Sequence, residues 1–281
     1  MLAVVISLSL WPGPMGAPAE AGDASAGSAN VTVRLVPEVL SIRPGKPFTV
    51  ALHMKMAPSW HTYWKNPGDA GIPTRVVWTL PDGFKASELQ WPAPARAVDG
   101  SLALYGYERE ATLLTEITPG IDLPSGRFTL AAKVSWLECR DICIPGKASL
   151  DITLPAALGR GPAAVDPASK ALFASARAAM PRASGVPKVS HDVEGDRLVL
   201  RIGGPVPGLG SPLEFFPEKA GLIEAAQPQT VSRAGTGWTI SMKRATNAPA
   251  PAPTLRGVLV TSAGSRRMAW EVSATAAPSS H

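Results

Sequence analysis

The sequence FTVALHMKM (residues 48–56) alternates large apolar side chains with polar or smaller ones at a period of two. Because a β-strand points successive side chains to opposite faces, this alternation predicts a strand with one face in a core and the other towards solvent. Residues 127–136 and 148–154 repeat the pattern. Turns rich in proline and glycine separate such segments, as in RPGKP at 43–47. The sequence therefore predicts an all-β chain.

The spacing of the strands predicts the architecture. Several short strands with turns between them favour an immunoglobulin-like antiparallel sandwich, although a barrel would give a similar pattern. Further along, Asp166 and Pro167 are typical of a helix N-cap and first helical position, and alanine-rich sequence continues to Met180. Strand-like segments resume beyond Pro187. We therefore expect a linker helix and then a second, smaller β domain.

The chain has 281 residues, a length that fits two domains better than one. Its composition is that of a folded protein, since 45% of the residues are hydrophobic and only 17% are charged. The predicted segments are a signal peptide at 1–21, a flexible leader at 22–30, the sandwich domain at 31–158, a helical linker at 159–186, the second β domain at 187–275 and a tail at 276–281.

The first segment predicts export. An apolar run at residues 2–11 precedes small residues at 17–21, which is the order found in secretory signal peptides, although no Lys or Arg comes before the run. The run is too short to span a bilayer. We therefore expect a soluble, periplasmic protein. The net charge of +5 is spread along the chain without a basic cluster, so nucleic acid is not an expected partner.

The two cysteines lie between two predicted strands, in WLECRDICIPG at residues 136–146. A disulfide can persist in an exported protein. A bridge between Cys139 and Cys143 would close a loop of five residues and stabilise the fold by roughly 2 kcal/mol, against about 3 kcal/mol for a loop of 15. The spacing thus favours redox exchange over an inert bridge and leaves metal binding open. It is not the Cys-x-x-Cys of thioredoxin-like sites, and no βαβ pattern surrounds it.

The residues near the cysteines do not predict a direction for the thiol pKa. Arg140 and Lys147 would stabilise a thiolate, whereas Glu138 and Asp141 would oppose it. Soft ligands for Cu(I) are also present in the chain, namely Cys139, Cys143, His53, Met54, Met56 and His61. His53 points away from both methionines in a regular strand, so we assign no metal site and no cofactor.

Three separated stretches carry a resemblance to a known family. They are WHTYWKNPGDAGIP (60–73), LYGY (104–107) and WLECRDICIPG (136–146). Together they resemble the periplasmic N-terminal domain of DsbD-type protein-disulfide reductases, in particular the branch associated with suppression of copper sensitivity. The resemblance covers residues 31–155.

The resemblance implies an immunoglobulin-like domain that relays reducing equivalents between a membrane-embedded thiol donor and oxidised periplasmic proteins, including a thioredoxin-like protein. It implies that Cys139 and Cys143 are the redox pair. It also implies that Leu104, Tyr105 and Gly106 form a cap loop that, with Tyr107, contacts partners. Leu104 replaces the phenylalanine of better-known members. The membrane core and thioredoxin-like domain of full-length members have no counterpart here, so we expect separate proteins to supply them.

Two other functions remain open from the sequence. One is a non-enzymatic protein-binding module with a structural disulfide, which would present Trp60, Trp64 and Tyr105 to a partner. The other is a periplasmic copper-handling protein that uses the two thiols. Hydrolase chemistry is not supported, since no local nucleophile motif or paired-carboxylate signature is present.

Overall fold

The computed structural model describes residues 25–157, 161–185, 188–204, 212–263 and 266–277, and the predicted signal peptide (1–21) lies outside them. The described residues form β-strands and one α-helix. Their bounds are β1 Ser25–Gly27, β2 Val31–Pro37, β3 Phe48–Met56, β4 His61–Gly68, β5 Arg75–Thr79, β6 Lys85–Ala86, β7 Ala95–Asp99, β8 Leu102–Glu108, β9 Glu110–Thr118, β10 Arg127–Cys139, β11 Cys143–Pro155, α1 Lys170–Ala179, β12 Val189–Glu194, β13 Arg197–Ile202, β14 Leu213–Pro217, β15 Thr230–Ala234, β16 Gly237–Lys243, β17 Thr254–Ala263 and β18 Arg266–Ala276.

The strands up to β11 form two antiparallel sheets that share one core. The first sheet has the order β1-β2-β3-β9-β6, and the second has the order β11-β10-β4-β8-β7, with β5 paired to β10. Leu52 and Leu113 from the first sheet belong to the same buried cluster as Leu130 and Trp136 from the second. The predicted immunoglobulin-like sandwich is therefore confirmed, and the barrel alternative is not.

The prediction that the second face of β3 points to solvent holds for Lys55 and is wrong for the middle of the strand. Ala51 is fully buried and His53 is 4% exposed, although both lie on that face. Helix α1 covers part of it, where Phe173 packs in one cluster with Ala51 and Leu114. A helix that lies on the outer face of a sheet removes the apolar-to-polar alternation that a solvated face would show.

Helix α1 begins at Lys170, later than the predicted N-cap at Asp166. The Asp166 carboxylate instead accepts a hydrogen bond from the Ala168 backbone N–H at 3.0 Å, and the Ser169 hydroxyl donates to the Asp166 carbonyl oxygen at 3.1 Å. Asp166 thus caps a turn that precedes the helix. Arg177 in the last turn makes a bidentate pair with Glu38 at 2.6 Å, which attaches the helix to the first sheet.

Part of the segment predicted as a flexible leader (22–30) belongs to the sandwich. Ser25–Gly27 forms β1, which pairs antiparallel with β2 through Ala26 and Val33. The sequence of this segment is rich in Ala, Gly and Ser and carries no strand signal. The segment is held in place by its pairing with β2 and by the hydrogen bonds of Ser28 and Asn30 to the hairpin that carries the cysteines.

The strands after α1 form a third sheet with the order β14-β17-β18-β12-β13-β16-β15. Its strand pairs are antiparallel except β12 with β18, which run parallel. Leu200, Phe215 and Trp270 lie in its own buried cluster. Phe216, the next residue after Phe215, belongs instead to the core of the sandwich. Within the described ranges, no helix has the length and apolar character needed to cross a membrane.

Candidate functional site

The cysteines lie at the tip of the long hairpin formed by β10 and β11. The register places Cys139 directly opposite Cys143, and the two are joined by a disulfide. The exposed turn between them consists of Arg140, Asp141 and Ile142. The prediction that the pair connects two strands is confirmed, with the refinement that each cysteine is itself the terminal strand residue.

Packing at the tip fixes the shape of this hairpin. The Trp136 ring lies over Gly146, where an added Cβ would come within 2.2 Å of the ring. The Trp136 indole N–H donates to the Glu138 carboxylate at 2.8 Å. The same carboxylate accepts hydrogen bonds from Ser28 Oγ at 2.7 Å and from Asn30 Nδ2 at 2.9 Å. The fully buried Glu138 side chain thus holds the N-terminal segment against the hairpin.

The two sulfur-bearing residues differ in accessibility. Cys139 is 2% exposed, because β10 is an inner strand that pairs with β4 at His61 as well as with β11. Cys143 is exposed, because it begins an edge strand of the second sheet. A thiolate from another protein can therefore reach Cys143, whereas Cys139 is shielded.

A tyrosine hydroxyl contacts the buried sulfur. Tyr63 Oη donates a hydrogen bond to Cys139 Sγ at 3.0 Å and lies 3.8 Å from Cys143 Sγ. Gly71 makes this position possible, because it has a φ of +120° and a Cβ there would lie 2.3 Å from the Tyr63 ring. Burial raises the pKa of Tyr63 above its usual value, so the hydroxyl keeps its proton well into the alkaline range.

His61 completes this group of side chains. Its Nε2 lies 3.3 Å from Tyr63 Oη, and its ring meets the Tyr63 ring edge-on at 5.3 Å. Since the single hydroxyl hydrogen of Tyr63 is directed at sulfur, the hydrogen of this second contact must come from His61 Nε2. Burial lowers the pKa of His61, partly offset by the charge of Glu108. The tyrosine and histidine therefore form a neutral donor chain that ends on Cys139.

The sequence did not single out Tyr63 as a site residue. In a regular strand Tyr63 lies on the face opposite Trp64, and this alternation says nothing about sulfur. The hydrogen bond joins residues 76 positions apart. Only the pairing of His61 with Cys139 and the position of Gly71 bring the two together.

The charged residues of the turn are engaged with neighbours rather than with sulfur. Arg140 pairs with Asp141 at 2.7 Å, and its guanidinium lies 5.5 Å from the centre of the Trp60 ring. Ile142 is 65% exposed and Ile144 is 36% exposed, on either side of Cys143. The accessible sulfur thus has an apolar rim with a compensated charge pair beside it.

Comparison with known proteins places this geometry in a family. The family profile described as "Thiol:disulfide interchange protein DsbD, N-terminal" matches residues 32–155, which contain the sandwich and both cysteines. Residues 32–155 form a DsbD-type N-terminal domain. Together with the disulfide, this makes the segment a thiol-disulfide exchange domain.

Solved structures extend the likeness in fold. The N-terminal periplasmic domain of ScsB from Proteus mirabilis has a TM-score of 0.62 at 17% sequence identity, with coverage of 88% of this chain and 94% of that chain. Such coverage reaches past the DsbD-type domain into the third sheet. A chimeric titin Z1Z2 (13% identity, 92% and 100% coverage) and the C-terminal domain of a Streptococcus agalactiae AgI/II polypeptide (8%, 86% and 99%) both have a TM-score of 0.19. No curated protein sequence matches the chain.

The segment expected to form a cap loop lies in strand β8 of the DsbD-type domain. Gly106 pairs with Tyr63, and Leu104 is half-buried. Tyr105 is 1% exposed and packs edge-on against Phe216 at 5.0 Å. The buried Tyr107 hydroxyl donates to the carbonyl oxygen of Pro92 at 2.8 Å. The capping and partner-binding roles of these residues stay predictions.

The aromatic platform considered for a binding module is not available. Trp64 is fully buried, Tyr105 is 1% exposed and Trp60 is 8% exposed. Trp64 and Tyr105 both pack against Phe216 from the third sheet. These side chains therefore fill the interior of the protein, as large aromatic residues usually do.

Of the candidate copper ligands other than the cysteines, His61 lies beside the disulfide, and His53, Met54 and Met56 do not join it there. His53 Nδ1 shares a hydrogen bond with Thr112 Oγ1 at 2.9 Å, and Met54 Sδ accepts one from Thr74 Oγ1 at 3.7 Å. Met54 and Met56 lie in the hydrophobic core. Among the described residues, no group of three or more His, Cys, Asp and Glu side chains is arranged to hold a metal ion.

Proposed function

We propose that the Cys139–Cys143 pair relays reducing equivalents in the periplasm, from a membrane-embedded thiol donor to oxidised periplasmic proteins, thioredoxin-like proteins among them. The observation that carries this proposal is the pairing of an exposed sulfur with a buried sulfur that receives a tyrosine hydrogen bond. A purely structural bridge needs neither feature. The apolar segment at residues 2–11 and the periplasmic origin of the similar ScsB domain support the compartment.

Reduction begins at Cys143, because only this sulfur is accessible. A thiolate of the donor attacks Cys143 Sγ, a bond forms between the two proteins, and the Cys139–Cys143 bond breaks. Cys139 departs as a thiolate and then takes up a proton. The donor's second thiolate attacks its own sulfur in the mixed disulfide and releases Cys143. The donor is oxidised to a disulfide, and this chain gains two electrons and two protons.

Transfer to the target reverses these steps. The Cys143 thiolate attacks the target's disulfide and forms a mixed disulfide with one target sulfur, while the other leaves as a thiolate. Cys139 then loses its proton and attacks Cys143 Sγ, which reforms the intramolecular disulfide and releases the reduced target. Cys143 is thus the attacking residue and Cys139 the resolving one.

Tyr63 stabilises the sulfur that leaves and returns. A charge-assisted hydrogen bond is roughly twice as strong as a neutral one. The contact from Tyr63 Oη therefore strengthens when Cys139 becomes a thiolate, which lowers the barrier to opening the disulfide. Because burial raises the pKa of Tyr63, the hydroxyl remains a donor at the pH at which thiols ionise.

The rim around Cys143 is the proposed contact surface for both partners. Ile142 and Ile144 are exposed apolar side chains, and Pro145 beside them is also exposed. An exchange partner must bring its own sulfur to bonding distance of Cys143, so these side chains are buried in every mixed disulfide. Leu104, half-buried in β8, is proposed to contribute from the cap segment.

A trapping experiment tests the order of attack. The Cys139→Ser and Cys143→Ser variants are each reduced and mixed with a monothiol thioredoxin whose cysteine carries a 5-thio-2-nitrobenzoate leaving group. We expect the Cys139→Ser variant to release the chromophore rapidly and form a stable adduct through Cys143, while the Cys143→Ser variant reacts slowly through its shielded thiol. Equal rates, or no adduct in either variant, would contradict the proposed mechanism.

A potential measurement tests the exchange function itself. Structural disulfides of secreted proteins typically have reduction potentials below about −300 mV, and exchanging ones lie above that value. We expect the wild-type pair to equilibrate with a glutathione buffer in the higher range. A value well below it would identify an inert bridge.

A further inference from the structure

Strand β14 of the third sheet lies against the part of the sandwich that carries Tyr63. Phe216 meets the Trp64 ring edge-on with centroids 6.4 Å apart, and it meets the Tyr105 ring at 5.0 Å. Trp64 follows Tyr63 in β4, and Tyr105 precedes Gly106, which pairs with Tyr63 in β8. A single side chain of β14 therefore contacts both strands next to the tyrosine that binds Cys139.

Polar contacts fix the same junction. The buried Asn66 side chain donates from Nδ2 to the carbonyl oxygen of Pro217 at 2.7 Å. Lys65 pairs with Glu218 at 2.8 Å. Of these, the Asn66 bond is the more important, because it is buried and satisfies a backbone carbonyl that would otherwise lose its hydrogen bond. It lies three residues along β4 from Tyr63.

These contacts occur where β4 lacks a regular neighbour. The ladder between β4 and β8 pairs His61, Thr62 and Tyr63 in register, and then shifts until Gly68. On its other side, β4 pairs with β10 only through His61 and Cys139. The stretch from Trp64 to Pro67 is therefore not held by a continuous ladder. The third sheet contacts it at three successive residues, Trp64, Lys65 and Asn66.

We infer that the second β domain, through Phe216 and Pro217 of β14, positions Tyr63 against Cys139 and thereby sets how readily the disulfide is reduced. Phe216 and Asn66 are positioning residues, since neither touches sulfur. The inference gives the second domain a role in the chemistry of a disulfide that lies in the first. It concerns the equilibrium of the disulfide with any thiol, and so it does not depend on which partners the chain serves.

The test compares two adjacent phenylalanines of β14. Phe216→Leu removes the aromatic contacts to Trp64 and Tyr105, whereas Phe215→Leu makes the same change in the third sheet's own core. Each variant of the full chain is equilibrated with reduced and oxidised glutathione. In this reaction two glutathione thiols become one disulfide as the protein disulfide becomes two thiols. The alkylated thiols are then counted by mass.

We expect Phe216→Leu to lower the equilibrium constant for reduction severalfold, in the same direction as Tyr63→Phe, and Phe215→Leu to leave it at the wild-type value. In the Tyr63→Phe background, Phe216→Leu should have no further effect, because its influence passes through the tyrosine. An unchanged constant in a folded Phe216→Leu protein would overturn the inference. So would an equal effect from Phe215→Leu, or an effect that persists without the Tyr63 hydroxyl.

A second variant keeps the test decisive if Phe216→Leu does not fold. Asn66→Asp leaves the aromatic cluster intact and keeps the side-chain oxygen that accepts from the Gly68 backbone N–H, but removes the N–H that donates to Pro217. It should shift the same equilibrium in the same direction, again only when the Tyr63 hydroxyl is present, and a constant equal to wild type would refute the inference. Failure of the relay would appear differently, as a very low potential or a missing adduct in the wild-type chain, whatever the variants show.

Discussion

Replacing Tyr63 with phenylalanine removes one hydroxyl and leaves the ring that packs on Gly71. The lost contact is the 3.0 Å hydrogen bond to Cys139 Sγ. A hydrogen bond to a charged group contributes about 1.5–3 kcal/mol, and one between neutral groups about 0.5–1.5 kcal/mol. The two values differ by about 1–1.5 kcal/mol. One unit of pKa corresponds to 1.36 kcal/mol, so the variant's Cys139 thiol should titrate about one unit higher than in the wild type.

The reduction potential should fall in the same variant, because the reduced form loses more than the disulfide does. The disulfide loses a neutral hydrogen bond and the thiolate a charge-assisted one, so the net loss is about 1–1.5 kcal/mol. For a two-electron couple about 1.4 kcal/mol corresponds to 30 mV, so the expected fall is about 20–30 mV where Cys139 is a thiolate. It should shrink towards zero at a pH well below the thiol pKa, where the disulfide and the thiol each lose a neutral hydrogen bond. The difference between the proteins therefore widens as the pH rises.

Equilibration with glutathione at several pH values measures both quantities, and Tyr107→Phe is the matched control. Tyr107 is also a buried tyrosine of the second sheet, but its hydroxyl bonds to the Pro92 carbonyl oxygen instead of to sulfur. It should lose stability without a change in potential. If Tyr63→Phe keeps the wild-type potential across the pH range, or if Tyr107→Phe lowers it equally, the assignment of Tyr63 as the donor to Cys139 is refuted.

Two further predictions concern the scaffold. Gly146→Ala places a Cβ within 2.2 Å of the Trp136 ring and should lower the free energy of unfolding by about 1–3 kcal/mol, as measured in urea. Gly120→Ala is the control, because the nearest atom to its added Cβ lies at 3.5 Å and the loss should be much smaller. Similar losses in the two variants would contradict the packing argument. The hydrogen bond from Arg177 lowers the pKa of Glu38. At pH values above the carboxyl's usual pKa of 4.5, this partly exposed pair should therefore add about 0.5–1 kcal/mol to the free energy of unfolding. The contribution should be lost as the pH falls through the lowered pKa. The difference in unfolding free energy between wild type and Arg177→Gln should therefore vanish in acid, and a difference that grows there would contradict this sign.

The sequence predicted the features that depend on local pattern. Alternation identified β3, β10 and β11, and it placed Cys139 and Cys143 where these last two strands meet. These predictions succeed because the side chains of a half-buried strand report its burial directly. The same reasoning failed for Ala51 because α1, which packs against it, lies more than 100 residues further along the chain. It failed for His53, whose buried ring bonds to Thr112 on β9.

The chemistry around the disulfide depends on contacts between distant segments, and local pattern does not encode these. Glu138 was expected to oppose a thiolate, but its carboxylate is taken up by hydrogen bonds from Ser28, Asn30 and Trp136. The hydroxyl of Tyr63 reaches sulfur only because β4 crosses next to β10 at His61. The register of a pair such as His61 with Cys139 is a property of the assembled sheet.

The position of the disulfide at the hairpin tip also limits what a partner can sense. The β10–β11 register contains thirteen cross-strand pairs, and the cysteines form the last of them. We expect the other pairs to persist when the disulfide is reduced, so that reduction changes the structure only at the hairpin tip. In the proposed relay, a donor and an acceptor each have to contact Cys143 Sγ directly, so the protein binds one of them at a time.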